Sequence, residues 1–284
     1  MEKEEVKVPK GQNEKKMSSF ITRLVSGIVL LLIMLVIVPA GGMPMFIMTY
    51  LISMCGLFEL YRVFGIEKKS LGLVGYITVT AYYLLVLTAH SEYFALMTIL
   101  SLMALMTFYV ITYPAYKIYV IAKAFMCVCY AGIMLSYLYQ TREMADGKFL
   151  VWLIFISSWG TDTCAYCTGM LFGKHKMTPL LSPKKTIEGA VGGVAGAALL
   201  GFIYAWFFRN HFLEVRNPAV TCALACAIAA LISMVGDLTA SGIKRDYGIK
   251  DYGHLIPGHG GIMDRFDSVI FTAPAIYFAL TFLK

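Results

Sequence analysis

The feature that most constrains this chain is a succession of apolar blocks, each close to the length of a helix that crosses a bilayer. A helix needs about 20 apolar residues to span the hydrocarbon core. Nine blocks approach that length: 20–40, 43–64, 71–89, 93–111, 119–139, 150–172, 186–208, 219–237 and 262–283. Glu59 interrupts the second and Lys123 the fifth. Charged residues make up only 14% of the chain, against about 25% in a soluble domain. Lipid must therefore be the solvent for most of it. The expected fold is all-α: a polytopic integral membrane protein of about nine transmembrane helices.

Residues 1–18 differ, mixing Lys3, Lys7, Lys10, Lys15 and Lys16 with Glu2, Glu4, Glu5 and Glu14. With almost nothing to bury, they read as a disordered tail. A secretory signal fits less well, because the tail is acidic as well as basic and the apolar run continues a longer span. With the N-terminus inside, 19 of the 24 Lys and Arg residues fall on the cytoplasmic side. Arg142, Lys148, Arg209, Arg216 and Lys284 fall on the other. This positive-inside asymmetry predicts a cytoplasmic N-terminus and places the loops 173–185 and 238–261 in the cytoplasm. The chain divides into the tail (1–18), N-terminal transmembrane helices (19–140) and a catalytic transmembrane region with cytoplasmic loops (141–284).

Seven cysteines lie in apolar stretches and imply no disulfide framework; Cys164-x-x-Cys167 reads as packing, since no second pair accompanies it. In the seventh block Gly189 and Gly193, and Gly192 and Gly196, are four apart, a spacing that lets two backbones approach closely in lipid. The seventh and eighth blocks should be central in the bundle.

Carboxylates enter the membrane repeatedly after residue 160: Asp162, Glu188, Asp237, Asp264 and Asp267. Each costs about 2.5–3.5 kcal/mol on insertion scales and so normally has a partner or a function. Glu188 fits a helix end facing water as well as it fits a function. The densest segment is 236–267. Asp264 and Asp267 are three apart and share a helix face, at a helix start that favours anions. The glycines of Gly258-His259-Gly260-Gly261 can turn backbone N–H groups toward a phosphate. Lys244, Arg245, Lys250 and Arg265 supply cations for phosphate oxygens. Asp237, Asp264 and Asp267 offer oxygen ligands alone, which suits Mg²⁺ or another hard cation, and not zinc. His259 reads as a phosphate donor sooner than a general base. Upstream, Ser182-Pro183-Lys184-Lys185-Thr186 is expected to open a helix capped by Ser182 or Pro183. Its lysines either hold phosphate or satisfy the positive-inside bias.

These residues resemble the signature of the phosphatidate cytidylyltransferases, or CDP-diacylglycerol synthases. The matching elements are Ser241, Lys244-Arg245, Lys250-Asp251, Gly253, Pro257, His259-Gly260-Gly261 and Asp264-Arg265-Phe266-Asp267. The stretch from Asp162 through Gly173-Lys174 to Ser182-Pro183-x-Lys185-Thr186 and Gly189 is similar to the family's other shared region. The resemblance implies that CTP and phosphatidic acid give CDP-diacylglycerol and pyrophosphate, with Mg²⁺ or Mg²⁺ plus a second cation. It also implies a homodimer in the cell membrane, with its site facing the cytoplasm and no nucleic acid as partner. By position, Asp237, Asp264 and Asp267 would be metal carboxylates. Ser182, Lys185, Thr186, Ser241, Lys244 and Arg245 would surround the phosphates. An acidic residue is expected before Ser241, where this chain has Ala240; Asp162 is the candidate to replace it. Two alternatives remain: a transporter, which would more often spread its polar groups over broken helices, and an enzyme acting on another lipid phosphate or on a CDP-lipid donor.

Overall fold

A computed structural model describes residues 10–258 and 260–283, with side chains described at Thr22 and from Leu24 onward. Among the described residues the chain is helical, apart from one small hairpin and the connecting loops. The helices are α1 (Lys10–Ala40), α2 (Gly42–Val63), α3 (Ser70–Leu87), α4 (Phe94–Thr112), α5 (Ile118–Glu143), α6 (147–172), α7 (Ile187–Phe207), α8 (Pro218–Asp246) and α9 (Met263–Leu283). Among the described residues seven helical stretches, those of α2–α5 and α7–α9, are long and apolar enough to cross a membrane. In α1 the apolar part is shorter, 24–40, and α6 is assembled from short helical pieces. Residues 1–9 of the expected disordered tail lie outside the described residues. Residues 10–18 depart from that expectation, because α1 already begins at Lys10. Their Lys, Glu, Gln and Met are good helix formers, and extending an existing helix avoids the cost of nucleating one.

Local contacts sort the helix ends into two sets. At one end the Phe64 and Tyr247 rings lie 5.0 Å apart, and the Lys123 ammonium sits over Phe64, Tyr119 and Tyr247. At the other end the Arg142 guanidinium donates 2.9 Å bonds to the carbonyls of Val38 and Pro39. It thereby satisfies C-terminal acceptors of α1 that the helix itself leaves open. Gly41 makes the α1–α2 bend at φ +66°, and a Cβ there would meet that guanidinium. Asp146 is on the same end, accepting the N–H groups of Leu213 and Glu214 at 2.9 Å each.

The glycine spacing does what it predicted. Gly189, Gly193, Ala197 and Gly201 form the buried face of α7, and a Cβ on Gly193 would stand 3.0 Å from that of Ala165 on α6. Centrality belongs to α8, which packs along both α7 and α9. The opposite face of α7 is open, with Val191, Leu199 and Trp206 exposed. Two helices carry a π turn: Val128–Ile133 in α5 and Ile156–Gly160 in α6. Such turns add a residue and re-aim the helix beyond them, often at functional sites. The second lies just ahead of Asp162, where the hydroxyls of Ser158 and Ser268 meet at 2.6 Å and tie α6 to α9.

Candidate functional site

The segment between α6 and α7 is an antiparallel hairpin, β1 (Lys176–Thr178) and β2 (Ser182–Thr186). Ser182 therefore does not open a helix as the sequence suggested. Pairing of Lys176 with Thr186 keeps the chain extended to the last residue before α7. Thr186 is the cap instead, its hydroxyl accepting the Gly189 N–H at 3.1 Å, as a threonine N-cap does. Glu188 has a local partner as well: its carboxylate accepts the N–H groups of Lys174 and His175 and a 2.6 Å contact from the His175 ring. It clamps the hairpin to α7.

The hairpin roofs a cavity of about 410 Å³ lined by Asp162, Ser182, Lys184, Lys185 and Thr186, with Tyr166, Gly169 and Gly189 among its walls. The Lys185 ammonium forms an ion pair with Asp237 of α8, each side chain about one quarter exposed. A second cavity, about 540 Å³, opens on the other side of Asp162. Its walls are apolar, with Leu30, Leu31 and Met34 from α1 and Met48 and Ile52 from α2. Its polar rim is Asp162, Asp264, Arg265 and Asp267. Asp162 thus belongs to both cavities, and Asp162, Asp237 and Asp267 lie within electrostatic reach of one another.

Asp264 and Asp267 start α9 together but meet different neighbours. Asp264 is buried: Oδ2 accepts the N–H groups of Tyr252 (2.8 Å) and Gly261 (2.9 Å), and Oδ1 takes the Lys244 ammonium at 3.1 Å. Asp267 is half-buried, and the bond it accepts is from its neighbour Ser268 N–H, 2.8 Å to Oδ1. Among the described residues no three His, Cys, Asp or Glu side chains are grouped in metal-holding geometry.

The glycine loop departs from expectation. Gly260 and Ile256 bond each other in both directions, N–H to carbonyl, at 3.1 and 2.9 Å, and the Gly261 N–H goes to Asp264. These two N–H groups close the loop on itself and are already engaged within the protein. His259 lies outside the described residues. Ser241 is half-buried one helical turn beyond Asp237, and Arg245 is exposed. Ala240 is fully buried, and its carbonyl accepts the Tyr252 hydroxyl at 2.9 Å. That position faces packing, so an acidic side chain there would have no route to the cavity. Sequence reasoning missed Tyr252 and gave Glu59 no role. The signal available for Glu59 was a lone carboxylate inside an apolar span.

Residues 21–283 match the model of a family described as the cytidylyltransferase family. Among similar proteins is the phosphatidate cytidylyltransferase of Staphylococcus epidermidis, 34% identical over 260 residues, covering 89% of this chain and 96% of that protein. The proteins of the same name from Staphylococcus haemolyticus and Staphylococcus aureus strain COL are 35% and 32% identical over 259 residues, with the same coverage.

Proposed function

The chain belongs to the cytidylyltransferase family, and from that premise we propose that it transfers the CMP moiety of CTP to phosphatidic acid, releasing pyrophosphate and forming CDP-diacylglycerol. One observation carries this reading: two largely apolar cavities share Asp162, one bearing the lysines and hydroxyls of the hairpin and the other the aliphatic sides of α1 and α2. The cavity beneath the hairpin offers hydroxyls and lysines suited to a water-soluble polyphosphate. The other offers aliphatic walls from α1 and α2 suited to acyl chains, with charged groups at its rim suited to a lipid headgroup. At their junction a lipid phosphate oxygen can approach the α-phosphorus of CTP.

Bringing two anions together is a problem of neutralisation and alignment, with little covalent chemistry for the protein to supply. A phosphate monoester has its second pKa near about 6, so the attacking oxygen is already largely ionised at neutral pH and needs no general base. Lys184 and Lys185 face the polyphosphate; Lys244 offsets charge at Asp264.

By the chemistry of its donors the site suits a divalent cation, whose binding would have to draw the carboxylates closer together than they stand here. Asp162, Asp237 and Asp267 gather three carboxylates, with Lys185 paired to Asp237 and Lys244 within electrostatic reach of Asp267, and all their donors are oxygen, as Mg²⁺ prefers. Asp237 and Asp267 are the residues that would hold it. Asp264 joins them only if its Oδ1 gives up Lys244. When bound, such an ion would polarise phosphoryl oxygens and stabilise departing pyrophosphate. A cytoplasm-facing site accords with the positive-inside charge count, and the homodimer belongs to this proposal too, to be tested by the mass of the protein in nanodiscs.

Purified protein in mixed micelles should convert CTP to a chloroform-soluble liponucleotide when phosphatidic acid and Mg²⁺ are both present, and lose that activity on chelation. Turnover that ignores phosphatidic acid, or survives chelation, would contradict this reading.

A further inference from the structure

Glu59 is a glutamate near the C-terminal end of α2, 3% exposed, and it plays no part in the chemistry above. Its carboxylate reaches across 203 residues of sequence to the start of α9. Oε1 accepts the Ile262 N–H at 3.1 Å, and Oε2 accepts the Met263 N–H at 2.9 Å. Together with the Gly261 N–H held by Asp264, three consecutive backbone donors at this helix start are satisfied by carboxylates. The first N–H groups of a helix have no partner within it, and their partial positive charge makes the position an anion site. Here Glu59 fills that site. Gly261 leaves the room for it, since a Cβ there would stand 2.5 Å from both Glu59 oxygens.

We propose that Glu59 is a positioning residue, which fixes the first turn of α9 against α2 so that Asp264 meets Lys244 and Asp267 faces the lipid-side cavity. This deepens the function proposed above and rests on its assignment of Asp267 to the site. It also assigns the anion position of α9 to a side chain of this protein, leaving substrate phosphates to the lysines.

The test compares Glu59→Ala, Glu59→Gln and Gly261→Ala, the last keeping the carboxylate but crowding it. Two quantities are read: kcat and KM for CTP per folded molecule, with folding scored by gel filtration in detergent, and backbone amide exchange over 260–264. Displacement of a catalytic group by about 1 Å can cost about 10²-fold in rate. Glu59→Ala should therefore lose about 10²-fold in kcat, with KM for CTP changed less than about threefold, and exchange faster over 260–264. Glu59→Gln keeps one acceptor oxygen but turns its NH2 toward the other N–H, so it should recover part of both losses, and Gly261→Ala should resemble Glu59→Ala. If Glu59→Ala is folded and keeps its kcat, or exchanges at 260–264 like the parent, the proposal is overturned. If Glu59→Ala does not fold, Glu59→Gln and Gly261→Ala decide it by the same criteria. A parent protein inactive on CTP and phosphatidic acid would remove the proposed function, while the exchange measurement would still decide for or against Glu59.

Discussion

Asp264 and Asp267 differ by less than one helical turn and by nearly everything in their surroundings. Asp264 spends both oxygens on Tyr252 N–H, Gly261 N–H and Lys244, so its removal should free the 252–261 loop and leave the half-buried Lys244 without its partner. Breaking one side of a buried ion pair costs about 3–5 kcal/mol. Asp264→Ala is expected to lower the thermal midpoint in detergent clearly, and activity with it. Asp267→Ala, which gives up only the Ser268 N–H bond and a place in the cavity lining, should fold with a midpoint near the parent's and lose activity alone. Thermal unfolding beside a liponucleotide assay separates the two, and a reversed pattern would exchange their roles. The Asp-x-x-Asp spacing was legible in the sequence as a shared helix face. Which aspartate the loop claims was not legible, because that depends on where the Tyr252 and Gly261 N–H groups arrive after folding. Glu59 was hidden for the same reason: its partners lie 203 residues away.

At the scale of elements, the seven helices of membrane length among the described residues fall on seven of the nine apolar blocks, since the length of a span is set by the thickness of lipid and is written directly in hydropathy. The hairpin escaped because β1 and β2 are 3 and 5 residues long, too short to carry a periodic signal. The π turns escaped too, since they depend on contacts such as Ser158 with Ser268. The glycine ridge of α7 was readable because close packing in lipid needs small residues at a fixed spacing. It matters to the site because α6 carries Asp162 and α7 begins directly after Thr186. Gly193→Leu should force the α6 and α7 backbones apart at a cost of about 1–3 kcal/mol. The monodisperse gel-filtration peak should shrink, whereas Val191→Leu on the exposed face should leave it unchanged. Equal yields would contradict the close packing at Gly193.

Across the whole molecule, the N-terminal helices are not a separate unit. Helices α1 and α2 wall the lipid-side cavity, and α2 supplies Glu59 to the start of α9. The division at residue 140 drawn from polarity therefore describes composition better than it describes the site. The contacts at helix ends place Tyr119, Phe64 and Tyr247 together, and Arg142, Asp146 and Phe212 at the other end. In a variant without native cysteines, Lys117→Cys should react with an impermeant maleimide only after the membrane is permeabilised, and Lys148→Cys beforehand. The opposite order would invert the proposed orientation.

At the centre of this account, a polyphosphate and a lipid phosphate meet at the junction marked by Asp162. The most direct test traces the phosphorus of CTP labelled at either its α or its γ position, with phosphatidic acid supplied in mixed micelles. The expected result is α label entering the lipid phase and γ label leaving as aqueous pyrophosphate, in equal amounts. Label from the γ position in the lipid, or CTP consumed with neither label reaching it, would contradict the account.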